Sequence, residues 1–248
     1  MTLPMTKTLD GQLARDGYAI VPTVLGGADI DALITVLSST GAAKATRSGG
    51  ETYAIRNLLD VPTIRALAAS PAVRGLVEPL LGFNCFAVRG ILFDKTPAAN
   101  WRVPWHQDLT IAVQARRDIQ GYGPWSRKAG VPHVQPPVAV LQRMLTVRLH
   151  LDDCDATNGP LLVLPNSHHD GCLSRDAVRR WRADTTAVTC EVSRGWALLM
   201  RPLLLHASGP ASRPGHRRVV HLEFAADPLP GGLEWHRAAT VEREAPSL

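Results

Sequence analysis

Apolar positions recur at helical spacing through the first third of the chain. In 26–40 (GGADIDALITVLSST), Ile30, Leu33, Ile34 and Leu37 fall on one helical face, with Asp29 placed to cap the start. Segments 61–70 and 71–82 predict two further short helices, the second with Pro71 in its first turn and Gly82 at its end. Ahead of these, 16–25 carries an apolar stretch that predicts a short strand. From residue 83 the texture changes to short apolar runs broken by Gly, Pro, Asn and Asp. Segments 84–95, 142–153, 159–167, 186–193, 196–208 and 216–226 read as strands. Many short strands without intervening helices predict a mainly β sandwich or jelly-roll under a helical N-terminal layer, not a parallel sheet. Residues 114–137 break this rhythm as a long connection carrying Tyr122, Trp125 and His133. A connection of that length is expected to be a lid over a ligand, with an inert insertion as the other reading.

Composition narrows the picture. The chain has 248 residues, 45% hydrophobic and 20% charged, which suits a soluble globular protein. Neither a repeat nor a low-complexity tract divides it. The expectation is therefore one domain over 1–248: a helical layer at 1–82, a jelly-roll core at 83–226 with the insertion at 114–137, and a tail at 227–248. No apolar run approaches the roughly 20 residues of a membrane span. The start, MTLPMTKTLDG, has no apolar signal core, so a cytoplasmic location without a membrane partner is expected. Cys85, Cys154, Cys172 and Cys190 form no CxxC and are expected to be buried free thiols. The net charge of +5 comes mostly from dispersed arginines. Such a field suits steering of an anionic small molecule. It comes with no nucleic-acid-binding module, so no nucleic-acid partner is expected.

Residues 104–110 (PWHQDLT) place His106 and Asp108 two apart, on one face of an extended chain. That spacing suits chelation and equally a solvated strand edge. His206 ends the run RPLLLH where a core strand would take an aliphatic residue, and a buried imidazole needs partners, of which a metal is one. Two imidazoles and a carboxylate on one face of the metal are the ligand set of non-haem iron(II) oxygenases. Eleven residues later Arg217 opens RRVVHLEF; its guanidinium suits a bidentate grip on a dicarboxylic co-substrate. Arg218 competes for that role, and strand alternation lets only one of the two face a pocket. In LTVRLHLDD, Arg148, His150 and Asp152 share a face opposite Leu149 and Leu151, which turns Arg148 and His150 toward the interior. Lys95, Asn100 and Trp101 precede the metal motif on a candidate pocket wall. His168, His169, His216, His221 and His236 are read as structural or solvated, and Asp152, Asp153 and Asp155 as a solvated turn.

VPWHQDL (103–109), LTVRLHLDDCDATNGPLLVLPNSHHDG (145–171) and MRPLLLHASGPASRPGHRRVVHLEFA (200–225) resemble the phytanoyl-CoA dioxygenase-like branch of the Fe(II)/2-oxoglutarate-dependent oxygenases. The resemblance implies a double-stranded β-helix, a cupin-like jelly-roll with N-terminal helices. It implies Fe(II) on His106, Asp108 and His206, and 2-oxoglutarate paired through its far carboxylate with Arg217, supported by Ser208 and with Arg148 nearby. O2 would be the oxidant. Asp108 keeps the carboxylate that halogenating relatives lack, which implies hydroxylation or a related oxidation. The expected activity is oxidation of a C–H bond in a small-molecule metabolite or natural-product intermediate that carries an anionic group, with release of succinate and CO2. Lys95, Trp101, Tyr122, Trp125, His133 and His150 are the substrate-side and lid candidates. A non-catalytic jelly-roll sensor and a cupin-type metalloenzyme without 2-oxoglutarate stay open as alternatives.

Overall fold

A computed structural model describes residues 3–39, 45–48 and 51–239. The expected tail is thus described as far as residue 239; 240–248, and 1–2, 40–44 and 49–50 of the N-terminal layer, lie outside the described residues.

The chain opens with α1 (Leu3–Asp16), β1 (Tyr18–Val21), α2 (Gly27–Ser39), β2 (Ala45–Ser48), β3 (Glu51–Ile55), α3 (Pro62–Ala69) and α4 (Pro71–Leu81). Strands β4 (Phe86–Lys95), β5 (Val103–His106), β6 (Ile111–Ala112), β7 (Trp125–Lys128) and β8 (Val131–Val134) follow. A one-turn α5 (Val138–Gln142) leads to β9 (Met144–His150), β10 (Leu161–Val163), α6 (Arg175–Asp184), β11 (Val188–Cys190), β12 (Ala197–Met200), β13 (His206–Ser208) and β14 (Arg217–Ala225). All pairings among the described strands are antiparallel. They build a seven-stranded sheet in the order β1-β12-β9-β14-β4-β3-β2, a four-stranded sheet β11-β10-β13-β5 and a small sheet β6-β8-β7. The architecture is the double-stranded β-helix expected, with its helices mainly N-terminal.

Alternation along the central strands sets the layers. Leu145, Val147 and Leu149 of β9 and Val220, Leu222 and Phe224 of β14 pack in one apolar cluster with Leu13 of α1, Leu33 of α2, Ile64 of α3 and Val77 of α4. The opposite faces carry Arg148 and His150 on β9, and Arg217, His221 and Glu223 on β14, and all five are buried. Those polar faces look into the space between the two large sheets. At the other end of that space, Leu198 and Met200 of β12 meet Leu161, Val163 and Leu204 in a separate apolar cluster.

The punctuation of α4 is as expected, whereas Asp29, expected to cap α2, lies inside its first turn because the helix already begins at Gly27. The Ser70 hydroxyl accepts from the Val73 N–H at 3.4 Å, Pro71 occupies the first turn of α4, and Gly82 follows its end at φ 89°. Two further expectations are corrected. The run 196–208 is two strands in different sheets, because the chain turns at Arg201–Leu205, where Pro202 has no N–H for a ladder. The insertion 114–137 is no open loop: it forms the β7–β8 hairpin, turning through Ala129 and Gly130 at φ 47° and 80°. Such a two-residue turn needs two positive φ values, and Ala-Gly is not the Asn-Gly signature that announces it. Val134 anchors the hairpin against Ile111, Val113 and Trp235.

Phe224 is fully buried where β14 meets the helices. Phe224→Ala is expected to cost about 3–5 kcal/mol of unfolding free energy through the cavity it leaves, read as a lower urea midpoint at unchanged m.

Candidate metal centre and its cationic cavity

β5 and β13 pair so that His106 lies directly opposite His206, with ring centroids 4.2 Å apart. Asp108 follows two residues on. Its N–H donates to Pro202 O at 2.9 Å. Gln107, between the two, turns the other way: its amide donates to Leu203 O (2.6 Å) and Gly171 O (2.8 Å) and accepts from Leu173 N–H (2.8 Å). The HQD segment is thereby pinned to the turn that leads into His206. On the far side, the Ser167 hydroxyl accepts from Leu205 N–H at 2.9 Å.

Each imidazole Nδ1 donates to the carbonyl two residues back: His106 to Pro104 O at 2.9 Å and His206 to Leu204 O at 2.8 Å. A carbonyl only accepts, so both Nδ1 atoms carry the proton and both Nε2 atoms present a lone pair. Those lone pairs face Asp108, with His106 Nε2 3.8 Å from Oδ1 and His206 Nε2 3.7 Å from Oδ2. One ligand atom from each residue lies within 4.8 Å of the others. Burial pulls His206 down to about 4 against the opposing pull of Asp108, so the ring is neutral near neutral pH. Burial alone would raise Asp108, but His206, His221, His106 and Arg89 together hold its carboxylate well below the usual range. Two imidazoles and one carboxylate converging from one side fit a divalent first-row metal that prefers mixed N/O donors.

The cluster sits in a cavity of about 630 Å³. Arg148 and Arg217 stand on its wall, with Lys95, a substrate-side candidate, paired opposite Arg217 but absent from the wall. Arg217 (3% exposed) donates through Nη1 to Gly159 O, and Lys95 (1% exposed) donates to Gly209 O and to the Ser208 hydroxyl, the latter at 2.9 Å. Ser208 in turn donates to Gly159 O at 3.0 Å. Gly159 stands at φ +73°, and a Cβ there would lie 2.7 Å from Lys95 Nζ and from Gly209 O, so only glycine lets its carbonyl serve both donors. Arg148 (7% exposed) lies over the Phe93 ring at 5.6 Å. Burial, reinforced by repulsion from Arg217 and Arg148, takes Lys95 down to about 7; burial and Arg217 take Arg148 to about 10. Among the described residues no ion pair engages Lys95, Arg148 or Arg217, and Nε of both arginines has no hydrogen-bond partner. Buried guanidinium groups left in this state have the donor geometry for a carboxylate from outside the chain.

Arg217 and Arg218 separate as alternation requires. Arg218 points to the other face, where Nε and Nη2 donate to Asp152 at 2.8 and 2.6 Å. Trp101 lines the cavity, and Lys95 lies 5.5 Å from its ring centroid. Asn100 is structural, exchanging bonds of 2.6 and 2.9 Å with the Ala211 backbone.

The lid candidates are corrected. Tyr122 and Trp125 pack against the cluster around Val134 and Trp235, and neither lines the cavity. His133 on β8 is buried outside it, with Nδ1 on Val131 O at 3.0 Å. His150 is buried behind Arg148 and is absent from the cavity wall. His221, expected to be structural or solvated, is buried. It lines the cavity, pairs in register with Arg148 and accepts from it at Nδ1 (3.1 Å), so Nε2 carries the proton toward Glu223 Oε1 at 3.1 Å. Glu223 pairs with Arg89. These residues were findable, because His221 and Glu223 sit four and six places beyond Arg217 and share its face.

Sequence comparison decides the family. The phytanoyl-CoA dioxygenase (PhyH) pattern matches residues 13–219, most of the chain. The chain belongs to the phytanoyl-CoA dioxygenase family. This family depends on Fe(II) and 2-oxoglutarate. An L-proline trans-4-hydroxylase of Streptomyces griseoviridis is 25% identical over 242 residues, covering 85% of this chain and 82% of its own. Two solved structures share the fold. EctD from S. alaskensis, solved with 2-oxoglutarate and 5-hydroxyectoine, superposes at TM-score 0.68 with 18% identity over 88% of this chain and 74% of its own. The epimerase SnoN, in complex with Fe3+, alpha ketoglutarate and nogalamycin RO, does so at 0.67 with 19% identity over 92% and 91%. No helix among the described residues is long and apolar enough to cross a membrane.

Burial pulls His133 and His168 down to about 4 from an ordinary 6.5, which favours their neutral forms in the folded state. Their stabilisation is complete above the unfolded value and is lost as pH falls through the folded one. Urea midpoints of the metal-free protein are therefore expected to drop as pH falls from 6.5 toward 4, and His133→Gln to make that drop shallower.

Proposed function

We propose that the chain is an Fe(II)- and 2-oxoglutarate-dependent dioxygenase that hydroxylates a C–H bond of a small-molecule metabolite or natural-product intermediate. One observation carries this reading. A two-histidine, one-carboxylate cluster and a buried cationic end lacking an acidic partner share one cavity. In balanced form, substrate C–H, O2 and 2-oxoglutarate give substrate C–OH, succinate and CO2.

His106, Asp108 and His206 would hold the iron, and Arg217 the far carboxylate of 2-oxoglutarate. When bound, the iron and its co-substrate supply the oxidising chemistry by activating O2 as the 2-oxo acid is decarboxylated. The chain's part is positioning. Backbone carbonyls lock the tautomers of both histidines, and Gln107 fixes the HQD segment on the turn before His206. Asp108, with the Arg89 guanidinium nearby and its pKa held well below the usual range, stays ionised and so remains a ligand. Lys95 orients the Ser208 hydroxyl beside Arg217. Ile91, Phe93 and Leu161 line the same cavity with apolar surface that keeps bulk water from the reacting centre. Hydroxylation is chosen because the proline relative is a hydroxylase. The epimerase with the same fold is the reason the outcome must be measured.

Purified protein with Fe(II) should bind 2-oxoglutarate by calorimetry and release succinate. His206→Ala and His106→Ala should lose iron retention. Arg217→Met should weaken 2-oxoglutarate binding by about 100-fold, the worth of a charge-assisted contact of roughly 3 kcal/mol. Unchanged 2-oxoglutarate affinity in Arg217→Met, or full iron retention without His206, would sink the reading.

A further inference from the structure

The cavity has a second cationic wall, distinct from the Arg217 end. Thr110, two residues past Asp108, gathers it: its hydroxyl accepts from Lys128 Nζ at 2.9 Å and its carbonyl from Arg89 Nη1 at 3.3 Å. Arg56 lines the same wall. Arg89 is neutralised by Glu223, whereas among the described residues Lys128 joins no ion pair and donates to the Thr110 hydroxyl. Lys128 is half-buried, and burial, with Arg89 and Arg56 adding repulsion, lowers its pKa.

A dianionic co-substrate held at Arg217 would still leave Lys128 without an ion pair among the described residues, and a metal would add positive charge. Holding a half-buried ammonium near the Arg89 and Arg56 guanidinium groups costs free energy that a hairpin side chain could avoid by turning to solvent. Its orientation into the cavity makes sense as a prepared oxyanion site.

We propose that Lys128, beside Arg56 and Thr110, is the recognition point for an oxyanion on the substrate, so that the substrate is a small-molecule acid bearing a carboxylate or phosphate. This rests on the proposed function and adds the substrate class and a specificity residue. The β7–β8 hairpin then acts in substrate selection through Lys128, not as a lid through Tyr122, Trp125 or His133.

The test uses full-length protein loaded with redox-silent Mn(II) and saturated with 2-oxoglutarate, with acetate and inorganic phosphate as probes. Paramagnetic broadening of their methyl-proton and phosphorus resonances reports approach to the metal. Saturable broadening by at least one probe is expected, and the better-binding probe identifies the oxyanion. Lys128→Met should weaken it by roughly tenfold or more, as loss of a charge-assisted contact requires, while Lys128→Arg retains it and calorimetric 2-oxoglutarate affinity stays the same in both. Broadening that is absent in the wild type, or equal in wild type and Lys128→Met, overturns the proposal. Failure of the wild type to bind 2-oxoglutarate would count against the proposed function instead.

Discussion

β14 runs between β9 and β4, and neither of its faces reaches solvent except at Arg218. Whatever it carries must be satisfied inside the protein. Its outward residues do this with helices. Its inward residues do it through register, because each ionisable side chain lies opposite a cation on a neighbouring strand: Glu223 opposite Arg89, His221 opposite Arg148 and Arg217 opposite Lys95. A slip of one residue would move Val220, Leu222 and Phe224 into the polar space and bury the charges against helices, at several kcal/mol per unpaired ion. The register that fixes the core therefore also fixes the cavity.

The three pairs are not equivalent. Glu223 and Arg89 cancel, and His221 bridges them to Arg148 through a single defined tautomer. Arg217 opposite Lys95 is cation against cation, deeply buried, with backbone carbonyls and one hydroxyl as the protein's answer. A chain selected for stability alone has no reason to keep this pair where aliphatic residues would fit. Local conflict of this kind concentrates at functional sites. It is the physical counterpart of the proposed co-substrate anchor, since an incoming carboxylate would relieve both groups at once.

Much of this was legible because it rests on period and spacing. The helices at 26–40, 61–70 and 71–82 show their 3.6-residue stripes, the last also its Pro71 start and Gly82 end, and the long strands β4, β9 and β14 show as apolar-rich runs. His106, Asp108, His206 and Arg217 converge as their spacing suggested. Other features left no such mark. α6 (RDAVRRWRAD) buries no residue, so it has no apolar stripe to read. β6, β7 and β8 have two to four residues each, too short for a period. His221 was passed over because a histidine among aliphatics has an ordinary explanation, although counting alternate residues from Arg217 would have placed it in the wall. Tyr122 and Trp125 misled for the opposite reason. Aromatic residues in a long connection suggest a lid, but their apolar area is better spent in a packed cluster than over a wet cavity.

The division of labour within the cavity follows from where each element gets its rigidity. Of the proposed metal ligands, His206 stands on β13 between β10 and β5, His106 on the edge strand β5, and Asp108 just past its end, tied by its N–H to Pro202 O, while Arg217 stands on β14 between β9 and β4; small displacements there would misalign donors that must converge within roughly 0.5 Å. Lys128 stands on a hairpin in a three-stranded sheet, anchored by Val134 and tied to the centre by one hydroxyl contact. Such an element can change length and side chains without disturbing β5, β13 or β14. Under the role proposed for Lys128, substrate choice would rest on an element that can vary while the strands of the central sheets stay fixed.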